Sequence, residues 1–269
     1  MRKVVGRLLV LVVLAPATAV RADGDEATEI SKKTQNPVAD VVSIPIRNDI
    51  SFGLPNDRVQ SLWKVQPVLP LHLFPEVNLI LRTIFSFYSQ PVGTTDRASG
   101  LGDTQLQMFV SPSHAGSVIW GVGPVVYLPT ATDSAFATEK FGLGASAVVL
   151  VTPGPWVLGA LVTYTASVAG NSARPSINLL DAQYFANYNL PQGWAVGTAP
   201  DILVDFSRSS DRWTVPIGAL VVKTFVLSSL ALQLQFAGYY NVVRPDGAPQ
   251  WVFRTQVTLV LPEAKKPAP

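Results

Sequence analysis

The sequence contains no cysteine. That excludes disulfides, thiol catalysis and cysteine-based zinc sites together. There are only two histidines, His72 and His114, so a Ser–His hydrolase has almost nothing to be built from. Charge is scarce too. Charged residues make up 14% of the chain, against about 25% in an ordinary soluble domain. Sustained helical periodicity is missing, as are a phosphate loop and a nucleophile elbow. Gly142-Leu143-Gly144 looks superficially like a dinucleotide loop, but no βαβ unit follows it. These absences lead to the expectation of a non-enzyme with no cofactor and no metal. No basic patch points to nucleic acid as a partner.

What is present is apolar. Hydrophobic residues reach 48% and the mean hydropathy is +0.29. Either the core is large, or the surface faces something other than water. Arg2, Lys3 and Arg7 form a basic head, Leu8 to Val20 an apolar run, and Val20-Arg21-Ala22 a small-residue cleavage motif. The run is short of the roughly 20 residues that a membrane-spanning helix needs. A signal peptide over 1–22 is expected, which directs export. Cleavage after Ala22 would leave 247 residues with 16 basic and 18 acidic side chains. The sequence pI of 8.9 therefore belongs largely to the leader. Residues 23–40 are polar and read as an N-terminal tail or a lumen plug.

From Val41 onward the chain is a succession of segments that alternate between apolar and polar side chains. Trp251, Phe253, Val257 and Leu259 fall on one face of the last segment, and Arg254, Gln256 and Thr258 on the other. Successive strand side chains point to opposite faces, so each such segment has one greasy and one wet side. The expected strands are 41–53, 59–71, 77–89, 103–111, 118–128, 141–151, 156–168, 176–189, 194–205, 212–225, 231–242 and 250–261. Gly and Pro sit mainly between them.

The connections alternate in length. His72 to Glu76, Pro112 to Ser117, Thr152 to Pro155, Pro191 to Gly193 and Val226 to Leu230 are short. Leu54 to Arg58, Gln90 to Gly102, Pro129 to Lys140, Ala169 to Pro175, Phe206 to Asp211 and Val243 to Pro249 are longer or more polar. Tight turns at one end and long loops at the other mark an outer-membrane barrel. The fold class expected is therefore all-β: a closed antiparallel transmembrane β-barrel of about twelve strands over 41–261, with a C-terminal tail over 262–269. Closure removes the unpaired edges that lipid does not tolerate. All six tryptophans, Trp63, Trp120, Trp156, Trp194, Trp213 and Trp251, fall within the first few residues of an expected strand, and Tyr88, Tyr127, Tyr164, Tyr239 and Tyr240 end upward ones. Two aromatic girdles follow, at the depths where amphipathic rings are favoured.

The wet faces must line the lumen. The candidate lumen-lining or solute-binding residues are Arg47, Asp49, Lys64, Gln66, Arg82, Gln105, Gln107, Asp181, Gln183, Asn187, Gln233, Gln235, Arg254 and Gln256, with Asn78, Asp201 and Asp205 beside them. A cation facing lipid at mid-depth would cost roughly 2–4 kcal/mol. Arg82 is therefore expected to face inward, near a carboxylate. A lumen of self-paired side chains with no selectivity is the plainer alternative. The fifth to seventh strands carry almost no charge, and their small residues would leave room for a plug or an apolar solute, or build a tightly packed wall.

Several stretches carry a family resemblance. They are Thr34 to Asp40, Trp120 to Pro124 running to Leu128 to Thr132, Pro153 to Trp156, Asn187 to Pro191, Arg212 to Pro216 and Tyr239 to Asp246. The chain resembles the bacterial outer-membrane barrels labelled neuromedin-U-like or transporter-like, which are related to the phenol meta-pathway degradation barrel family. The resemblance implies a barrel in the bacterial outer membrane. The polar lumen lining and the pale fifth to seventh strands lead to the expectation of a channel or transporter for small solutes, hydrophobic and aromatic compounds among them, with outer-membrane lipid and the solute as partners. A structural or surface-interaction barrel with a closed lumen is the alternative. One departure matters: many outer-membrane barrels end on an aromatic residue, whereas here the last strand ends at Leu261 and Pro262 to Pro269 follow.

Overall fold

The structure, a computed structural model, describes residues 24–114, 116–227 and 230–261. The expected signal peptide and the C-terminal tail lie outside the described residues. A helix, α1 (Gly24–Thr34), comes first. The strands follow: β1 (Ser43–Leu54), β2 (Arg58–Val65), β3 (Val68–Phe74), β4 (Val77–Val92), β5 (Asp96–Leu101), β6 (Thr104–Pro112), β7 (Val118–Leu128) and β8 (Lys140–Val151). The second half adds β9 (Trp156–Gly170), β10 (Asn178–Leu190), β11 (Trp194–Thr198), β12 (Asp201–Asp205), β13 (Trp213–Leu227), β14 (Leu230–Val243) and β15 (Trp251–Val260).

All of these belong to one antiparallel sheet that closes on itself. The ends of the chain make the joint: β1 pairs with β15 from Ser43↔Val260 to Phe52↔Trp251. Fifteen segments give twelve wall strands, because three strands are interrupted. The breaks fall at Gln66-Pro67 (β2/β3), Gly102-Asp103 (β5/β6) and Ala199-Pro200 (β11/β12). Prolines account for two of them, since a proline cannot donate to a ladder.

The outer face is greasy. All six tryptophans are exposed, as are Phe85, Phe87, Val122, Leu143, Phe236, Phe253 and Val257. Trp156 meets Tyr188 edge-on at 5.0 Å on the lower rim, and Trp251 lies 4.7 Å from Tyr240 on the upper rim. The tyrosines divide. Tyr164 and Tyr240 face out, but Tyr239 is buried, Tyr88 stacks on Phe136 at 5.5 Å, and Tyr127 pairs across the inner face with Gln105 and Gly142. Side-chain parity decides this: Tyr239 shares the face of Gln233 and Gln235.

Two local expectations change. Gln90 to Gly102 is not a loop. β4 runs on to Val92, a turn at Gly93 (φ 53°) follows, and β5 returns from Asp96. Asp205 does not serve the lumen. Its carboxylate accepts from Ser207 N and from Arg208 Nε at 3.2 Å, fixing the upper loop instead.

Helix α1 lies across the lower end. Asp25 and Glu26 in its first turn and Lys32 and Lys33 in its last complement the helix dipole. It seats on the turn Pro191–Gly193, where Gly193 takes φ 75° and the backbone N–H donates to Thr28 Oγ1 at 3.1 Å. A Cβ on Gly193 would lie 2.9 Å from Ala27 Cβ, so only glycine lets the helix approach this closely. Gln35 Nε2 then donates to Asn189 Oδ1 at 2.8 Å. Beyond it, Val38 enters the barrel and packs with Ile80, Phe109, Val148, Leu150, Val157, Leu161 and Phe185. Gly121 leaves room for it, since a Cβ there would stand 3.0 Å from Val38 Cγ1.

Candidate functional site: the lumen cavity

A cavity of about 180 Å³ occupies the lower and middle lumen. Its floor is Lys33 to Val41, and its wall carries the inward residues of β1, β2, β4, β6, β9, β10 and β12 to β15. Of the fourteen candidates read from the sequence, thirteen line it: Arg47, Lys64, Gln66, Arg82, Gln105, Gln107, Asp181, Gln183, Asn187, Gln233, Gln235, Arg254 and Gln256. The exception is Asp49, which faces inward with Arg47 but is enclosed by its own ion pairs. Asp201 lines the cavity as well. Sequence parity places most of these side chains, because the ladders keep register for most of their length.

One cluster spans the upper part of this space. Arg47 meets Asp49 and Asp201, each at 2.5 Å, and Arg254 meets Asp49 at 2.8 Å and Asp201 at 2.7 Å. Four charges from β1, β12 and β15 thus close a ring across the inner face of β13 and β14. Arg254 also lies 5.0 Å over the Tyr239 ring and donates to Ala199 O at 3.2 Å. Burying such charges is tolerable only with this degree of mutual pairing and hydrogen bonding. Tyr239 is a lumen residue that the girdle reading missed.

The other charges are not neutralised in this way. Arg82 reaches Gln66 Oε1 at 2.5 Å and Gln107 Oε1 at 3.4 Å. The expected carboxylates are near but not in contact: Asp181 and Asp201 act on Arg82 at longer range, and no ion pair of Arg82 occurs among the described residues. Lys64 and Asp181 face the same cavity, likewise without an ion pair among the described residues. The cavity wall therefore offers charged and amide groups that a small solute could engage. On the far side, Gln107 Nε2 donates to Thr163 Oγ1, which also contacts Ser146 Oγ. The pale strands β7 to β9 thus supply hydroxyls at mid-height and, lower down, the apolar bed for Val38.

The upper mouth is partly covered. Asp103 is buried and accepts from Ala131 N, Thr138 N and Thr138 Oγ1, which fastens the loop between β7 and β8. That loop delivers Phe136 onto Tyr88. Arg174 clamps it from the next loop through Ser134 O, Ala137 O and Glu139.

The histidines carry no constellation. His72 Nε2 contacts Asp40 Oδ2 at 2.8 Å, and His114 Nδ1 contacts Ser113 Oγ at 3.1 Å, both exposed. No serine accompanies the first and no carboxylate the second among these contacts. Groups of His, Asp and Glu able to hold a metal are not found among the described residues.

Residues 65–225 match the family model described as "Putative MetA-pathway of phenol degradation". The chain belongs to that family. Among solved structures, this family barrel is similar to an outer membrane channel from Pseudomonas putida F1, at 14% identity and a TM-score of 0.62. The match covers 82% of this chain and 95% of that one, and establishes the likeness of fold. Outer membrane phospholipase A from Escherichia coli overlays more loosely, at 11% identity and a TM-score of 0.43, over 89% of this chain and 98% of that one. No curated protein matches the chain.

Proposed function

We propose that this barrel is a bacterial outer-membrane channel for small solutes, held closed from below by its own N-terminal segment. The observation that carries the reading is the pairing of a greasy outer wall with a polar cavity. Exposed Trp, Phe, Val and Leu side chains cover the outside of a sheet with no free edge, which suits lipid and not water. Inside, charged and amide groups line a space that is neither filled nor fully neutralised. The signal peptide read in residues 1–22 supports export, and the resemblance to neuromedin-U-like barrels rests on the sequence motifs alone.

The solute is small, because the cavity is. It carries at least one polar group to meet Arg82, Lys64, Asp181 or the glutamines. A hydroxylated aromatic ring of the kind named in the family description satisfies both conditions. Passage is passive, and the barrel is not an enzyme, since His72 and His114 stand at exposed sites away from the cavity.

Docking of Val38 in its apolar bed, together with the ring of four charges, favours a second reading: a structural barrel whose lumen never opens. Conductance across planar bilayers separates the two. Purified protein should show small, infrequent currents, and a variant lacking residues 24–40 should show larger and more frequent ones. A folded barrel that stays silent with and without that segment would refute the channel.

A further inference from the structure

Two of the three strand interruptions are stitched. At Gln66-Pro67, Gln66 N donates to Pro45 O at 2.9 Å and Thr83 N to Pro67 O at 3.2 Å. At Gly102-Asp103, Gly102 N donates to Ser86 O at 2.8 Å. The third, Ala199-Pro200, is different. The ladder between β11 and β13 stops at Gly197↔Leu220 and that between β12 and β13 resumes at Leu203↔Thr214. Five residue pairs between them, Thr198 to Ile202 opposite Val215 to Ala219, are missing from the ladder.

The groups that should stitch this gap are turned into the lumen. Ala199 N donates to Tyr239 Oη at 3.3 Å, and Ala199 O accepts from Arg254 Nη1 and from Gln183 Nε2. Pro200 and Pro216 have no N–H to give. The Thr198 hydroxyl is buried without a partner. Side chains alone seal the slot: Pro200 is fully buried, while Ile217 opposite it is exposed on the outer wall. From inside, Ala199, Asp201, Gln183 and Leu220 line the cavity at the same height. Backbone without a ladder partner is costly against lipid, so such a slot is an unusual thing for a barrel to keep.

We propose that the slot between β11/β12 and β13 is a side exit, through which an amphipathic solute passes between the lumen cavity and the bilayer. The solute class is a small apolar ring bearing one polar group. The polar group is held by the cavity wall, while the apolar body leaves between Pro200 and Ile217 without crossing the whole lumen. This inference rests on the channel reading above and adds the route to it.

The cysteine-free sequence makes the test clean. Continuing the register one step past Gly197↔Leu220 sets Thr198 opposite Ala219, on the outer face that Val196 and Val221 share. A Thr198→Cys/Ala219→Cys variant should form a disulfide on oxidation and staple the slot. Val196→Cys/Val221→Cys, across the intact ladder below, is the control. The readouts are uptake of radiolabelled benzyl alcohol by intact cells and ionic conductance of the purified variants lacking residues 24–40. Stapling the slot should lower uptake about 10-fold, reversibly with reductant, and leave conductance within about 2-fold. Stapling the control should change neither. Unchanged uptake with the disulfide formed overturns the side exit alone, whereas absence of all conductance overturns the channel. Hydrogen exchange gives a second measure that needs no disulfide. On β13 the even-numbered amides face β11/β12 and the odd ones face β14, so the Gly218 amide should exchange at least about 10-fold faster than those of Leu220 and Val222, and equal protection would overturn the proposal.

Discussion

Val38 offers the sharpest test of how the lumen is closed. It is 5% exposed and sits in a bed of seven apolar side chains contributed by β4, β6, β8, β9 and β10. Replacing it with Ala removes two methyl groups from that bed. Each buried methyl-sized group is worth about 0.8 kcal/mol, and the space left behind adds to the loss, so docking should weaken by about 1.5–2.5 kcal/mol. At 1.4 kcal/mol per tenfold, the undocked fraction should rise roughly 10- to 60-fold. Barrel stability should hardly change, because the wall ladders do not involve Val38. Single-channel recording measures open probability directly, and heat-dependent gel mobility checks that the barrel is intact. Val38→Asp should act in the same direction and further, since a carboxylate has no partner in that bed. Open probabilities equal to the parent in both variants would refute the reasoning. The segment would then be an ornament of the lower rim, and the current would be limited elsewhere.

Asp201→Ala strips a carboxylate from both Arg47 and Arg254, and breaking one side of a buried ion pair costs about 3–5 kcal/mol. The Asp201 side chain keeps 19% exposure, so about 2–4 kcal/mol is expected, read as a lower urea midpoint for unfolding. Arg82→Gln removes a lumen cation that has no ion pair, so stability should stay within about 1 kcal/mol while selectivity shifts toward cations. Reversal potentials in a salt gradient report this, and an unchanged potential would show that Arg82 does not face the conducting path. Val122→Arg places a cation on the exposed outer wall of β7 and should cost about 2–4 kcal/mol in lipid, seen as poor folding into vesicles. Equal folding yields would argue that this face does not meet the hydrocarbon.

The wall was legible in the sequence for a physical reason. A period of two residues is enforced on every strand at once, because one face meets an apolar and the other a polar surroundings. That is why thirteen cavity residues could be named from parity. The same rule, applied to Tyr239, would have sent its ring inward; its place near a strand end drew it into the girdle instead. Partners across the lumen were not legible. Nothing in the sequence says that Asp201 reaches β1 and β15, because those distances depend on barrel curvature, whereas Arg82 and Gln107 are simply opposite each other on adjacent strands. The expected strands 59–71 and 194–205 run straight through Pro67 and Pro200; the interruptions there, and the fact that one is stitched and the other is not, show only in the ladders. The insertion of Val38 is a tertiary event: a lone valine in a polar stretch has no periodicity to betray it.

The joint between β1 and β15 has a consequence for assembly. Its partners lie about as far apart in the chain as the fold permits, from Ser43 to Val260. Contacts of such long range are slow to form, because the chain must order everything between them first. Until they form, two edges of ten residues each stay open, and lipid punishes open edges. Closure is therefore the last step and the cooperative one, and a chain that stops before Trp251 should never become a stable pore of smaller bore. The valine-bearing segment begins just ahead of β1, so the strand that zips the barrel shut also draws the stopper into place.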